Sequence, residues 1–263
     1  MSKYDYDSAI PFSAFITNLE AYNDGELKGE WVSFPTTPEE FSAAMERIGG
    51  EEKFISDYDN YTDLPIHNLG EYENPSALNY LASIIDKMDE HDYKTLCAAV
   101  EYEGATDLDE IINCALNVEE GNYILSEDIE SDRDLGVKVL EDVADLTVQE
   151  ANLETYIDYE ELGRDVANDT MDNEDVDNMT TEDFVALGEE IAYSAKVSDI
   201  ENYMDVDEIG RDYSTDENIT SEGLLENLDT EQLYDGEVPE DAKVTRDIED
   251  VDSGTDAWEE SVD

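Results

Sequence analysis

The stretch Tyr156-Ile157-Asp158-Tyr159-Glu160-Glu161-Leu162-Gly163-Arg164-Asp165 gathers phenols, carboxylates and one guanidinium into ten residues. It returns as Tyr203-Met204-Asp205-Val206-Asp207-Glu208-Ile209-Gly210-Arg211-Asp212. The chemistry such a set supports is ion pairing, because the arginine fork grips a carboxylate through two parallel N–H···O bonds. Glycine after Leu162 or Ile209 predicts a helix C-terminus, where only glycine enters the left-handed conformation without a Cβ clash. The adjoining arginine is then expected to tie that helix end to neighbouring carboxylates. Tyr156, Asp158, Gly163, Arg164 and Asp165, with Tyr203, Asp205, Gly210, Arg211 and Asp212, therefore read as a structural signature. Its duplication implies a repeated module.

Other chemistries find less support. A carboxylate pair working as acid and base needs one member with a raised pKa in a deep pocket, and no pair stands out from the rest. A helix-loop-helix calcium loop needs acids at its first, third and fifth positions, Gly at the sixth and Glu at the twelfth. Asp57-Tyr58-Asp59-Asn60-Tyr61 puts Tyr at the fifth and lacks the Gly, and Asp250-Val251-Asp252-Ser253-Gly254 has its Gly one place early. His67 and His91 have no Cys or His near them in the sequence, and Trp31 reads as core. Cys97 and Cys114 sit in apolar helical patterns and are expected to be reduced and buried. The expectation is a protein without catalytic residues, metal or cofactor.

Charge is the dominant property. The chain of 263 residues carries 74 acids against 13 Lys and Arg, a formal net charge of −61. That equals the charge of about 100 Å of DNA duplex, or about 30 base pairs. Apolar residues make up 40%, close to ordinary globular proteins, so folded domains under an acidic surface are expected. A ball of this length would have a radius of gyration of about 18 Å, and self-repulsion opposes such compaction. An elongated string of small domains relieves it. Nucleic acid is excluded as a direct partner by its phosphates; basic surfaces, above all those that hold DNA, are the natural partners. The N-terminus Met1-Ser2-Lys3-Tyr4-Asp5-Tyr6-Asp7 lacks the apolar core of a secretory signal. No run approaches the length that spans a bilayer. The expectation is a cytoplasmic protein without membrane partners, whose sequons at Asn60, Asn178 and Asn218 are chance matches.

The elements that would position these residues follow from local patterns. Phe12–Thr17 reads as a strand, Asn23-Asp24-Gly25 as a turn, Leu27–Phe34 as the returning strand, and Phe54–Tyr58 as a third. Between them Thr37-Pro38-Glu39-Glu40 is a capping box with proline at the first helical position; its helix turns Phe41, Ala44, Met45 and Ile48 to one side and stops at Gly49-Gly50. Asn74-Pro75 opens a helix with Leu78, Leu81, Ala82 and Ile85 inward. A second is expected from about Glu90 to Glu103, and a third, capped by Thr106, carries Leu108, Ile111, Ile112 and Ala115. From Tyr123 a brief apolar stretch leads to a helix with Leu135, Val139, Leu140 and Val143. Thr147–Glu150 caps a helix expected to end in Gly163-Arg164-Asp165. An acidic linker, 168–180, precedes a second pair: Phe184, Leu187 and Ile191, then the repeated signature. A last helix is expected around Leu224, Leu225, Leu228 and Leu233, ending at Gly236. The fold class is α+β: a three-stranded antiparallel sheet plus helix (1–70), a helical bundle (71–121), an α+β C-terminal module (122–170), its second copy (171–236) and a disordered acidic tail (237–263).

These residues together resemble the ArdA family of antirestriction proteins. Ile16-Thr17-Asn18-Leu19-Glu20-Ala21-Tyr22-Asn23-Asp24-Gly25-Glu26-Leu27 with Gly29-Glu30-Trp31 looks like the family's opening hairpin. Ile55-Ser56-Asp57-Tyr58 is similar to its next strand, and Leu78-Asn79-Tyr80-Leu81-Ala82 to the start of its middle helical domain. Tyr156-Ile157-Asp158-Tyr159 with Gly163-Arg164-Asp165 looks like its C-terminal signature. The resemblance covers about residues 12–168; the second signature copy and the acidic tail exceed the single-copy pattern.

The resemblance implies a thin, curved chain of small domains that mimics DNA and pairs with a second copy through its C-terminal domains. It implies binding in the DNA groove of type I restriction-modification enzymes, blocking cleavage and often methylation, without catalysis. Candidate phosphate substitutes are Asp57, Asp59 and Asp63, then Asp86, Asp89 and Glu90. Asp107, Asp109, Glu110, Glu119, Glu120, Glu127, Asp128, Glu130, Asp132 and Asp134 continue the set. Binding is expected to depend on the collective pattern rather than on one of them. Two rival readings of the charge are an acidic chaperone for basic DNA-binding proteins and adaptation of the surface to high salt.

Overall fold

A computed structural model of the chain describes residues 11–60, 64–214, 219–228 and 230–245. The fold is α+β. The described residues form two compact units, one up to Leu125 and again from Leu225 onward, the other Ser126–Leu224.

The first unit opens with strand β1 (Phe12–Asn18), a short helix α1 (Leu19–Asn23), strand β2 (Gly29–Phe34), helix α2 (Pro38–Ile48) and strand β3 (Lys53–Asn60). The sheet is antiparallel in the order β2-β1-β3, with Phe15 opposite both Trp31 and Asp57. As the central strand, β1 is buried on both faces except at Phe15. The expected hairpin is interrupted: Asn18 accepts from Ala21 N at 2.9 Å and starts α1 before the Asp24-Gly25 turn. The capping box of Thr37 and Glu40 forms as expected and starts α2, which buries Phe41, Ala44 and Ile48. Helices α3 (Pro75–Ile85), α4 (Glu90–Glu103) and α5 (Leu108–Glu119) follow. Asn74 caps α3. Asp107, and not Thr106, caps α5, because its carboxylate accepts from Glu110 N while Glu110 reaches back to the cap backbone. Sheet and bundle share one apolar core through Phe12, Phe34, Ile48, Leu78, Leu96 and Ile111. Cys97 and Cys114 are free thiols, both buried; burial, then the charge of Glu103, pushes Cys114 up to about 12.

After strand β4 (Tyr123–Ser126) the second unit is almost wholly helical. It contains α6 (Asp132–Asp142), α7 (Val148–Ala151), α8 (Tyr159–Thr170), α9 (Asn173–Val176), α10 (Thr181–Ala192), α11 (Val197–Ile200) and α12 (Val206–Tyr213). The Thr147 capping box forms, but its helix lasts one turn and ends at Asn152 in the left-handed conformation, φ 57°. A 3-10 turn follows, and Asp158 caps a new helix. The expected linker, 168–180, thus contains the last turn of α8 and all of α9.

The helix expected around Leu224–Gly236 does not form. Strands β5 (Ile219–Thr220) and β6 (Gly223–Asn227) pair antiparallel across Thr220–Gly223, in a sheet of order β4-β6-β5. Sheet pairing competes successfully with a leucine spacing that also fits a helix. Beyond it the chain runs extended over the first unit's bundle. Asn117 brackets Glu231, donating to its C=O at 2.9 Å and accepting from its N–H at 3.1 Å. Asn113 accepts from Leu233 N at 2.7 Å, Asn79 donates to Ala242 C=O at 3.0 Å, and Ser76 accepts from Val244 N at 3.2 Å. Tyr234 and Val244 are buried there. Of the tail expected to be disordered from 237, Ala242 and Val244 are bonded to α3, and 246–263 lie outside the described residues.

Candidate acidic interaction surface

In the first unit the candidate acids are placed by strand and helix ends. Asp57 and Asp59 are exposed on β3, and Asp63 lies outside the described residues. Asp89 is the N-cap of α4, accepting from Asp92 N at 2.9 Å, with Glu90 in the first turn. Asp107 accepts from Glu110 N at 2.9 Å, and Glu110 accepts from Thr106 N at 2.9 Å and Asp107 N at 3.4 Å. A carboxylate bonded to helix N–H groups is held in place and favoured by the positive end of the dipole. Partial burial, then the neighbouring charge of Asp107, raises Asp109 above the usual carboxylate range.

Asp86, Glu119 and Glu120 have the opposite setting. Asp86 is the C-cap of α3, Glu119 ends α5 and Glu120 caps it; all three are exposed, and neither helix has a basic residue in its last turn. Negative charge at the negative end of a helix costs about 0.3–1 kcal/mol for each such group. Local stability therefore does not account for these acids.

In the second unit Asp134 caps backwards onto Ser131 Oγ at 2.6 Å and Glu130 N at 3.3 Å. Asp132 accepts from Ser214 Oγ at 3.3 Å. Asp128 and Glu130 are exposed, while Glu127, Asp132 and Asp134 are half-buried.

Several of the few cations are engaged by nearby acids. Arg47 donates from Nε to Glu30 at 2.9 Å and holds that carboxyl below its usual range. Lys94 pairs with Glu90 at 3.6 Å, Lys138 with Asp142 at 2.7 Å, Lys196 with Asp145 at 3.0 Å and Arg133 with Asp207 at 3.4 Å. Such exposed pairs add little stability.

The signature residues sit differently from the expectation. Gly163 and Gly210 lie inside α8 and α12, not at helix ends, and both are buried. A Cβ at Gly163 would overlap the backbone carbonyl of Phe184, and one at Gly210 that of Asp132. The glycines are there for close helix contact: α8 crosses α10 and α12 crosses α6. Arg164 pairs with Glu160 one turn back and lies 4.4 Å over the Phe184 ring, so it acts along the helix and across the crossing. Arg211 is exposed in the last turn of α12. Tyr156 donates to Asp212 at 2.9 Å and Tyr203 to Asp165 at 3.2 Å, while Asp158 and Asp205 cap their helices.

Between the two signatures opens a cleft of about 830 Å³, lined by Asp158, Glu161, Asp205 and Glu208 together with Tyr156 and Tyr203. Its other acids are Glu160, Glu201 and Asp207; Glu160 and Asp207 fall within the two signature stretches, whereas Glu201 was not among the sequence candidates and no local motif marks it. Among the described residues no group of three or more His, Cys, Asp or Glu is arranged to hold a metal ion. No helix among them is long and apolar enough to cross a membrane.

The profile of a family described as antirestriction protein (ArdA) matches residues 14–173, more than half of the chain. The match ends in α9, before the second signature copy. Among curated proteins none matches the chain.

Proposed function

The chain belongs to the ArdA family of antirestriction proteins, and from that premise we propose that it inhibits type I restriction-modification enzymes by occupying their DNA-binding groove. Its carboxylates take the positions of phosphates on the enzyme's Lys and Arg, and no catalytic step is involved. The observation that carries this reading is the placement of Glu119 and Glu120, and of Asp86, at the C-termini of helices whose last turns hold no basic residue. Charge kept at a cost to the helix points to use by a partner. The N-terminal acids Asp89, Asp107 and Glu110 add fixed geometry, since their backbone bonds hold them before any partner arrives. Preorganised groups lose little freedom on binding. Phosphate contacts carry no base information, so a mimic of this kind acts on enzymes of different sequence specificity. The same occupancy blocks methylation along with cleavage, and the interaction takes place in the cytoplasm, where such enzymes meet DNA.

The test is titration of a purified type I enzyme on its target duplex. Stoichiometric protein should displace the duplex, with affinity falling by roughly an order of magnitude or more between 50 and 200 mM salt. An enzyme that keeps its duplex at excess inhibitor would rule the proposal out. Equal binding to an unstructured polycation would favour an acidic chaperone instead.

A further inference from the structure

The two signature copies meet each other through reciprocal contacts. Asp158 N donates to Tyr203 C=O at 2.8 Å and Asp205 N to Tyr156 C=O at 2.9 Å. Tyr156 bonds Asp212 while Tyr203 bonds Asp165. Val148 N donates to Ala195 C=O at 3.3 Å, and Val197 N to Leu146 C=O at 3.0 Å. Ile157 bridges Met204 on what is then the axis. The glycine contacts follow the same rule: Gly163 of the first copy meets Gly188 of the second, and Gly210 of the second meets Gly136 of the first. A contact set in which i meets j′ and j meets i′ is that of an isologous, two-fold interface.

We propose that residues 131–214 form a closed two-fold pair within one chain, the second copy filling the surface to which a second molecule would otherwise bind. Neither copy closes by itself. The second helix of each, α8 or α12, packs on the first helix of the other, α10 or α6. Leu140, Val148, Ile157 and Leu162 of one copy share a core with Ala192, Val197, Met204 and Ile209 of the other. The ten residues between α8 and α10 keep the copies together at an effective concentration in the millimolar range. At micromolar protein, pairing within the chain is therefore favoured by roughly a thousandfold over pairing between chains. The resemblance to a family that pairs through its C-terminal domains implied a dimer; here the partner is supplied in cis. Resting on the proposed function, the further consequence is that one chain, not two, engages each enzyme groove.

Three measurements on the full chain test this. Sedimentation equilibrium in 0.5 M salt, which screens self-repulsion, should give 29.6 kDa from 1 to 100 µM; a mass that doubles with concentration counts against the closed pair. Ile157→Cys with Met204→Cys should oxidise to a disulfide within the monomer. A disulfide-linked dimer, or no disulfide in protein with native circular dichroism, overturns it. Titration of the enzyme should saturate at one chain per groove. Two chains per groove would remove the single-chain consequence. No binding at all would remove the proposed function and leave the closed pair to the first two measurements.

Discussion

Replacing Gly163 by alanine sets two effects of opposite sign against each other. In an ordinary helix interior alanine is favoured over glycine by about 1 kcal/mol. Here the new Cβ would overlap the Phe184 carbonyl oxygen and come within 2.9 Å of Gly188 N, backbone atoms that cannot rotate away. The α8–α10 crossing must open, and overpacking of this kind costs about 1–3 kcal/mol. A contact with backbone on both sides belongs at the upper end, so the net loss is roughly 2 kcal/mol. That corresponds to roughly thirtyfold more frequent opening, read as faster hydrogen exchange in peptides from α8 and α10. Gly210→Ala meets the Asp132 carbonyl in the equivalent crossing and should lose a comparable amount in α12 and α6. If either variant exchanged as slowly as the parent, or more slowly, close helix approach would not be the reason for glycine at these crossings.

The two settings of the acids separate stability from binding. Asp107→Ala should cost about 1 kcal/mol by loss of the cap, measured by urea unfolding, whereas Asp107→Asn keeps the cap and removes only charge. Both should weaken the enzyme complex slightly and alike. Glu120→Gln and Asp86→Asn should each stabilise by about 0.3–1 kcal/mol while weakening inhibition, most visibly when combined; a combined variant that inhibits as well as the parent would refute the cost-for-display argument. Alkaline pH should unfold the first unit. Burial raises Cys114 and the phenols of Tyr58 and Tyr123 above their ordinary values, so their contribution is complete below the unfolded-state values. It declines as pH rises past about 9 for the thiol and about 10 for the phenols. Circular dichroism between pH 7 and 12 should show a flat region and then this loss.

What could be read from the sequence was what local chemistry decides. Thr37 with Glu40, Asn74 with Pro75, and Thr147 with Glu150 each carry their own capping partners, and those helices start where expected. The strands at 12–18, 29–34 and 53–60 follow from β-forming composition. Failures arose where a distant segment decides. Gly163 after Leu162 suits a helix end and a helix crossing equally well, and only Phe184, twenty-one positions on, distinguishes them. Leu224-Leu225 with Leu228 suits a helix until a neighbouring strand is available. Asn113, Asn117 and Asn79 bind the backbone of a segment more than a hundred residues later, a role without any local trace. Among the acids, type and spacing could not separate Asp107, which caps a helix, from Glu120, which opposes one.

That last distinction bears on the rival explanations of the charge. Adaptation to high salt asks only for a hydrated acidic surface and is indifferent to where along a helix each acid stands. A helix left to its own stability collects acids at its N-terminus and cations at its C-terminus. In α5 the second half of that rule is broken, and the helix carries acids at both ends. Negative charge at both ends of a helix makes its surface potential uniform along the axis, as a phosphate chain is, where a single favourable end would leave it graded. A partner reading a row of anions needs that uniformity, and a hydration shell does not.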